Sequence, residues 1–273
     1  MRGVADAAGS DGHGRAGPHL RARCGERGDE RSRPERGQGD NDWTDCHRPQ
    51  FGAFVPTERL AALRRIFYPN PDRALGGQPP LAVRPQSRDR GFSQYVENVT
   101  WARSRAVFAT IHVVGSNNDL VPWFDGAETP AQRALRMTEF GRRVTATLAW
   151  VDRTFAQARR IRARGVVIAM QANMWLRRLE PDADVSGFDT IVRGIATRAK
   201  RFRGKVLLLQ GDTHKYLADR PLKNGSPEHG VKTKAPNVTR IVVEGETASE
   251  WLRLRVRPRA KTLFAWKRMK VAG

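Results

Sequence analysis

From residue 106 onward, short unbroken apolar runs alternate with longer stretches of helical periodicity. AVFATIHVV (106–114), VVIAM (166–170) and KVLLLQ (205–210) are the runs. Their brevity and continuity predict strands buried on both faces. Between the first two, residues 131–164 predict a helix with Phe140, Val144, Leu148, Val151, Phe155 and Ala158 on one apolar face. Arg142, Arg143, Arg153 and Arg159 interleave with that face and read as its solvated side. Between the second and third runs, Ile191, Ile195 and Ala199 keep register in a helix from Phe188 to Phe202. Strand, helix and strand without a hairpin turn predict parallel crossover units and an α/β fold.

Beyond residue 236 the pattern shortens. VTRIVVEG, EWLRLRVRP and TLFAWKRM predict successive short antiparallel strands. In WLRLRVR, Leu252, Leu254 and Val256 face one way, and Arg253, Arg255 and Arg257 form the wet side of a half-buried strand. Upstream, PTERLAALRRIFYP predicts a helix with Thr57 as N-cap, Leu60, Leu63 and Phe67 on one face, and Pro69 as its stop. Residues 70–95 read as a long Pro/Gly loop.

Residues 1–37 are rich in Arg, Gly, Glu and Pro and poor in large apolar side chains. Such a segment buries too little surface to offset its ordering entropy. It reads either as a disordered basic tail or as a mis-called or frame-shifted start joined to a domain that begins at residue 38. Charge adds a second constraint: 49 Lys and Arg against 28 Asp and Glu leave +21, which favours anionic partners, nucleic acid or phosphate esters among them. Cys24 and Cys46 are too few for a disulfide framework or a Cys-type zinc site. No apolar stretch approaches the ~20 residues of a membrane helix.

The candidate chemistry sits where the strands end. GSNND (115–119), QANMW (171–175) and GDTH (211–214) follow the three predicted strands. In open α/β sheets ligands gather outside the carboxyl ends of strands. Converging loops there would present Asn117, Asn118, Gln171, Asn173, Asp212 and His214 together. Asp and His are ligands for a divalent metal, and amides complete such shells. Turn formation explains the same residue types. His112 reads as a satisfied strand histidine, and His229, in GSPEHGVK, as part of a mobile loop. GDNDWTDCHR (39–48) packs Asp40, Asn41 and Asp42 against a Trp and a Cys, a polar set pinned by apolar neighbours.

The order GDNDWTDCHR, HVVGSNN, VVIAMQANMW, LLLQGDTHKYLADRPL resembles the calcineurin-like metallophosphoesterases, in a bacterial branch with GDNxWTDC and GDTH motifs. The resemblance covers roughly residues 38–273. It implies a four-layer α/β/β/α sandwich with two divalent metal ions (Mn, Fe or Zn) at the strand ends, hydrolysing a phosphate ester with metal-activated water. Carried over, His214 matches the final histidine of the last family motif, and Asp212 stands where that motif has another. Gln171, rather than Asn173, takes the place of a lone histidine ligand. Asp40 or Asn41 becomes ligand and transition-state stabiliser. The family's first two motifs should lie before residue 38, where no strand ending in Asp-x-His is found. The expectation is a family member whose first β-α-β unit is missing, leaving a central sheet edge exposed. It would be an active enzyme, a truncated pseudo-enzyme, or a basic nucleic-acid-binding protein.

Overall fold

The computed structural model describes residues 42–48, 52–74, 80–124, 128–245 and 248–270. The expectation for residues 1–37 lies outside these, as do Asp40 and Asn41. The fold is mixed α/β, built on a seven-stranded sheet of order β1-β2-β3-β4-β5-β7-β6 and a separate two-stranded sheet, β8-β9. The strands are β1 (Arg84–Pro85), β2 (Val99–Arg103), β3 (Ala106–Thr110), β4 (Gly165–Ala169), β5 (Lys205–Gln210), β6 (Leu217–Asp219), β7 (Val238–Val242), β8 (Glu250–Val256) and β9 (Phe264–Lys270). The helices are α1 (Asp42–Asp45), α2 (Pro56–Phe67), α3 (Pro130–Arg160) and α4 (Asp189–Lys200).

The crossover prediction holds. β3, β4 and β5 are parallel neighbours, joined by α3 and α4. Alternate residues of each strand divide between two cores. Val107, Ala109, Val166, Ile168, Val206 and Leu208 pack with Trp150, Phe155, Ile191 and Ile195 of the helices. Phe108, Val167, Leu207 and Ile241 face the other way, against Leu263, Phe264 and the inner side of the β8–β9 hairpin. Among the described residues the stack is therefore helices, sheet, hairpin. Leu252, Leu254 and Val256 do point inward, and Arg253, Arg255 and Arg257 are exposed.

Several expectations are corrected. β7 is not an antiparallel neighbour of β8 and β9: it lies in the main sheet, parallel to β5 and antiparallel to β6. Periodicity shows a strand's faces but not its partner. The β3 edge is covered rather than exposed, because β2 pairs with it antiparallel and β1 with β2. The β2–β3 turn is Ser104-Arg105, both at positive φ (52° and 59°), the conformation a two-residue hairpin demands. The described part of residues 70–95 is not all loop: it carries an Arg73–Ala82 bridge, β1 and a short 3₁₀ turn at Gln86–Arg88. In α2 the first helical position is Pro56 and Val55 is the N-cap, with no side-chain cap. Proline at that position has no N–H to leave unsatisfied, so Thr57 is not needed as a cap. Trp43 of α1 is buried, edge-on to Trp123 at 5.4 Å and packed with Leu60.

Arg143 is not solvated. It is 1% exposed, with Nε 2.8 Å from Glu139 Oε1 and Nη2 donating to the Asn118 carbonyl at 2.9 Å. His229 is likewise no mobile-loop residue. It is buried on the turn Pro227–His229, its ring nitrogens 2.8 Å from Asp189 Oδ1 and 2.9 Å from the Met174 carbonyl.

Candidate functional site

β4 and β5 end side by side, and the chain continues from each into a loop. Gly211 N–H donates to the Gln171 carbonyl at 2.8 Å, which ties QANMW to GDTH. Thr213 N–H then donates back to the Gly211 carbonyl at 3.0 Å, with Asp212 between them at φ 73°. This is a γ-turn of the rare, strained hand. His214 follows, also left-handed, at φ 51°. Side chains other than glycine adopt such angles at a cost of order 1 kcal/mol each. Strain concentrated on the two residues of the chemical motif is typical of a functional turn.

Asp212 sits in the middle of a polar network. The Asn173 backbone N–H donates to Asp212 Oδ2 at 3.1 Å, and Gln171 Nε2 approaches Oδ1 at 3.4 Å. Burial pushes the Asp212 carboxyl above its ordinary range, although the Asn173 N–H, the Gln171 amide and the charge of His214 pull it down. Gln171 is 5% exposed, and its Oε1 is buried with no hydrogen-bond partner. Gln210, the last residue of β5, repeats this: its Nε2 meets only Met170 Sδ at 3.5 Å and its Oε1 has no partner. Buried unpartnered carbonyl oxygens are rare and costly.

Asn173 differs. Its Oδ1 accepts from Arg240 Nη1 at 2.7 Å and from Trp175 N–H at 3.2 Å, and its Nδ2 donates to Thr213 Oγ1 at 3.2 Å. Its oxygen is already satisfied. Arg240, fully buried on β7, also grips Asp219 with Nε at 2.9 Å and Nη2 at 2.8 Å, and its guanidinium lies 5.2 Å from the Trp175 ring centre. A chain of contacts thus runs from Asp219 through Arg240 and Asn173 to Asp212. Sequence reasoning missed Arg240 and Asp219; an arginine amid the β-branched residues of VTRIV is the signal that could have found them.

Asn117 and Asn118 have another task. The segment Gly115–Asp119 is a turn of left-handed helix, with φ between 49° and 57° from Ser116 to Asp119. Asn117 Oδ1 accepts from Gly187 N–H at 2.7 Å and its Nδ2 meets Ser186 Oγ at 3.3 Å. Asn118 Nδ2 donates to the Gly187 carbonyl at 3.1 Å, and its Oδ1 accepts from Arg143. Both amides are taken up in holding this turn, and neither is bonded to Asp212 or Gln171. Asp42 opens α1.

A second buried polar group lies just past β3. Glu97 accepts from Arg64, and His112 Nδ1 is 2.9 Å from Glu97 Oε1, an ion-pair distance without the alignment of a straight hydrogen bond. His112 is thus buried beside a carboxylate, but it lies past the end of β3 rather than within a strand, and its Nδ1 makes no aligned hydrogen bond.

Among the described residues no group of three or more His, Cys, Asp or Glu is placed to hold a metal ion. No helix of the described residues is long and apolar enough to cross a membrane. No family model, no curated protein and no solved structure matches the chain.

Proposed function

We propose that the Gln171 and Asp212–His214 loops are part of the metal site of a calcineurin-like phosphoester hydrolase. The substrate is a phosphate ester, and the family's α/β/β/α sandwich is the fold expected around the helix–sheet–hairpin stack. One observation carries the reading. Gln171 Oε1 is a buried oxygen without a donor, on a side chain already in contact with a buried carboxylate whose charge is poorly compensated. A divalent cation relieves both defects, and it suits a set of one carboxylate, one amide oxygen and one imidazole.

In this assignment Asp212, His214 and Gln171 hold Mn, Fe or Zn. Asp40 and Asn41 supply the remaining ligand and the transition-state stabiliser, and a second ion is expected from the family resemblance. Such an ion, when bound, polarises the phosphoryl oxygens and lowers the pKa of coordinated water. The chain's own residues position the carboxylate. Arg240 fixes Asn173, whose backbone N–H orients Asp212 Oδ2, leaving Gln171 as the amide with an oxygen to offer. Protonation of Asp212 would remove its negative charge, so burial tunes the site toward higher pH in the metal-free state.

A pseudo-enzyme that binds metal without turnover remains the second reading. It is favoured by the shortage of acidic and histidine ligands among the described residues. The test uses the full chain with Mn²⁺, Fe²⁺ or Zn²⁺, following thermal unfolding and turnover of p-nitrophenyl phosphate and its diester. The enzyme reading expects turnover and a metal-dependent rise in Tm, both lost in His214→Ala. A metal-dependent Tm without turnover selects the pseudo-enzyme. No effect of any of these metals on Tm or on turnover sinks the metal site altogether.

A further inference from the structure

The sheet has two ends, and the end opposite the candidate site has its own chemistry. β3, β4 and β5 start in register, Ala106 beside Gly165 and Gly165 beside Lys205, with Val206 beside Val238 of β7. The segments entering these strands therefore lie next to one another. Backbone bonds lock them: Arg164 N–H to the Arg105 carbonyl at 2.7 Å, Lys205 N–H to the Arg164 carbonyl at 3.0 Å, and Val206 N–H to the Asn237 carbonyl at 3.0 Å. The β8–β9 turn joins them, because Arg164 Nη1 donates to the Pro258 carbonyl at 2.6 Å.

The segments gathered there are 103–105, 159–164, 200–205, 232–234 and 257–261. Together they hold fifteen Arg and Lys and no Asp or Glu. Composition alone does not explain this. Elsewhere many arginines are paired with carboxylates, as in Arg64–Glu97, Arg88–Asp72, Arg136–Glu128 and Arg198–Asp152, and unpaired exposed ones such as Arg65, Arg133 and Arg193 lie on separate helices rather than on adjoining segments. Among the described residues, Arg105, Arg160, Arg162, Arg203 and Arg259 are exposed and make no ion pair. The cationic surface continues along the outer face of the hairpin. There Arg253, Arg255 and Arg257 recur every second residue, about 6.8 Å apart, comparable to the separation of successive phosphates in an extended nucleic-acid strand.

We infer that this basic edge binds nucleic acid through its phosphate backbone. Uncompensated cations gathered on one edge are the electrostatic footprint of a polyanion site. Arginine forks suit phosphate oxygens better than a point charge does. The aromatic side chains beside the strand-start segments, Phe202 and Phe264, are buried in the cores, and on the hairpin's outer face the half-buried Trp251 lies against Arg253, 5.2 Å from its guanidinium, so the surface binds through charge and reads no sequence. A membrane surface fits less well, because stable attachment needs an apolar face as well as charge and Ile161 is the one large apolar side chain exposed in these segments. The edge lies about 17 Å, the length of a five-residue strand, from the candidate site. It would tether the protein rather than form its reaction centre, so the inference does not rest on the proposed activity.

The test is fluorescence anisotropy of the full chain with labelled DNA and RNA oligonucleotides of about 30 nucleotides, between about 50 and 200 mM salt. The expected result is tight, sequence-independent binding that weakens steeply with salt. Arg160→Glu/Arg203→Glu/Arg259→Glu should weaken it about tenfold or more and flatten the log–log salt slope by about 2–3, at roughly 0.7–0.9 per lost phosphate contact. Arg90→Glu/Arg133→Glu/Arg193→Glu makes the same change in net charge at exposed positions off the edge, and should keep the slope. Unfolding curves check that both variants fold; if the edge variant does not, the milder Arg160→Gln/Arg203→Gln variant takes its place. The proposal is overturned if the two triple variants weaken binding equally, if no oligonucleotide binds, or if phosphatidylserine vesicles bind where oligonucleotides do not.

Discussion

Arg240→Met tests whether the contacts behind Asp212 are as coupled as their geometry indicates. Arg240 is fully buried and makes a bidentate pair with Asp219, at 2.9 and 2.8 Å, plus a 2.7 Å bond to Asn173. Removing one partner of a buried pair typically costs about 3–5 kcal/mol, mostly because the other charge is left alone. Here neither partner is abandoned. Asp219 keeps Arg178 and is 19% exposed, and Asn173 Oδ1 keeps the Trp175 N–H. Methionine also fills the volume of the arginine stem and retains a sulfur contact with the Trp175 ring. The expected loss is therefore below that range, about 2–3 kcal/mol. For a domain of this size that is a fall in Tm of about 5–10 °C. Thermal unfolding of Arg240→Met, Asp219→Asn and the double variant gives the coupling, expected at about 1–2 kcal/mol. A variant as stable as the parent, or purely additive effects, would refute the network. A metal-induced Tm shift that shrinks in Arg240→Met, beyond the loss of stability, separates positioning of Asp212 from simple packing.

Two further perturbations address the turns and buried charges around the strand ends. Burial alone would raise the Glu97 carboxyl, but Arg64 and His112 outweigh it and hold its pKa at about 2, against an ordinary 4.5. A carboxyl depressed in the folded state adds stability above its ordinary pKa and loses it as pH falls. About 3 kcal/mol should therefore disappear between pH ~4.5 and ~2. Burial also holds His112 below its ordinary range, so it adds to the loss as pH falls through about 6.5. Denaturant unfolding from pH 7 to pH 3 should show this decline, and Glu97→Gln should be weaker at pH 7 and flatter below 4.5; an unchanged acid slope in Glu97→Gln counts against the assignment. At Gly187 an added Cβ would lie 2.1 Å from the Asn117 carbonyl oxygen, which is backbone and cannot rotate away. Gly187→Ala should cost about 2–3 kcal/mol by forcing the left-handed turn from its partner, and a neutral result would show that the turn yields easily.

How far the sequence reveals this molecule depends on whether a residue's role is set by its neighbours in the chain or by distant partners. β3, β4, β5, α3 and α4 are local facts, written in apolar runs and helical spacing. β2 escaped notice because VTWAR is short and its turn, Ser104-Arg105, lacks the Asn-Gly signal. Arg143 and Arg240 were invisible as buried residues because Asn118, Asp219 and Asn173 lie 25, 21 and 67 positions away. The candidate site shows the same division. Polar residues after strands correctly mark the loops that end β4 and β5, but the residue type does not separate a ligand from a turn former. Satisfaction of the side-chain oxygen does. Asn117, Asn118 and Asn173 each have theirs taken by a donor from elsewhere in the fold, and these amides are scaffold. Among the described residues, Gln171 alone of the singled-out amides keeps a buried oxygen with no donor, beside a carboxylate that burial pushes toward neutrality. Folding tolerates that defect at Gln171 as it does at Gln210, and at Gln171 the cation of the proposed site would compensate it.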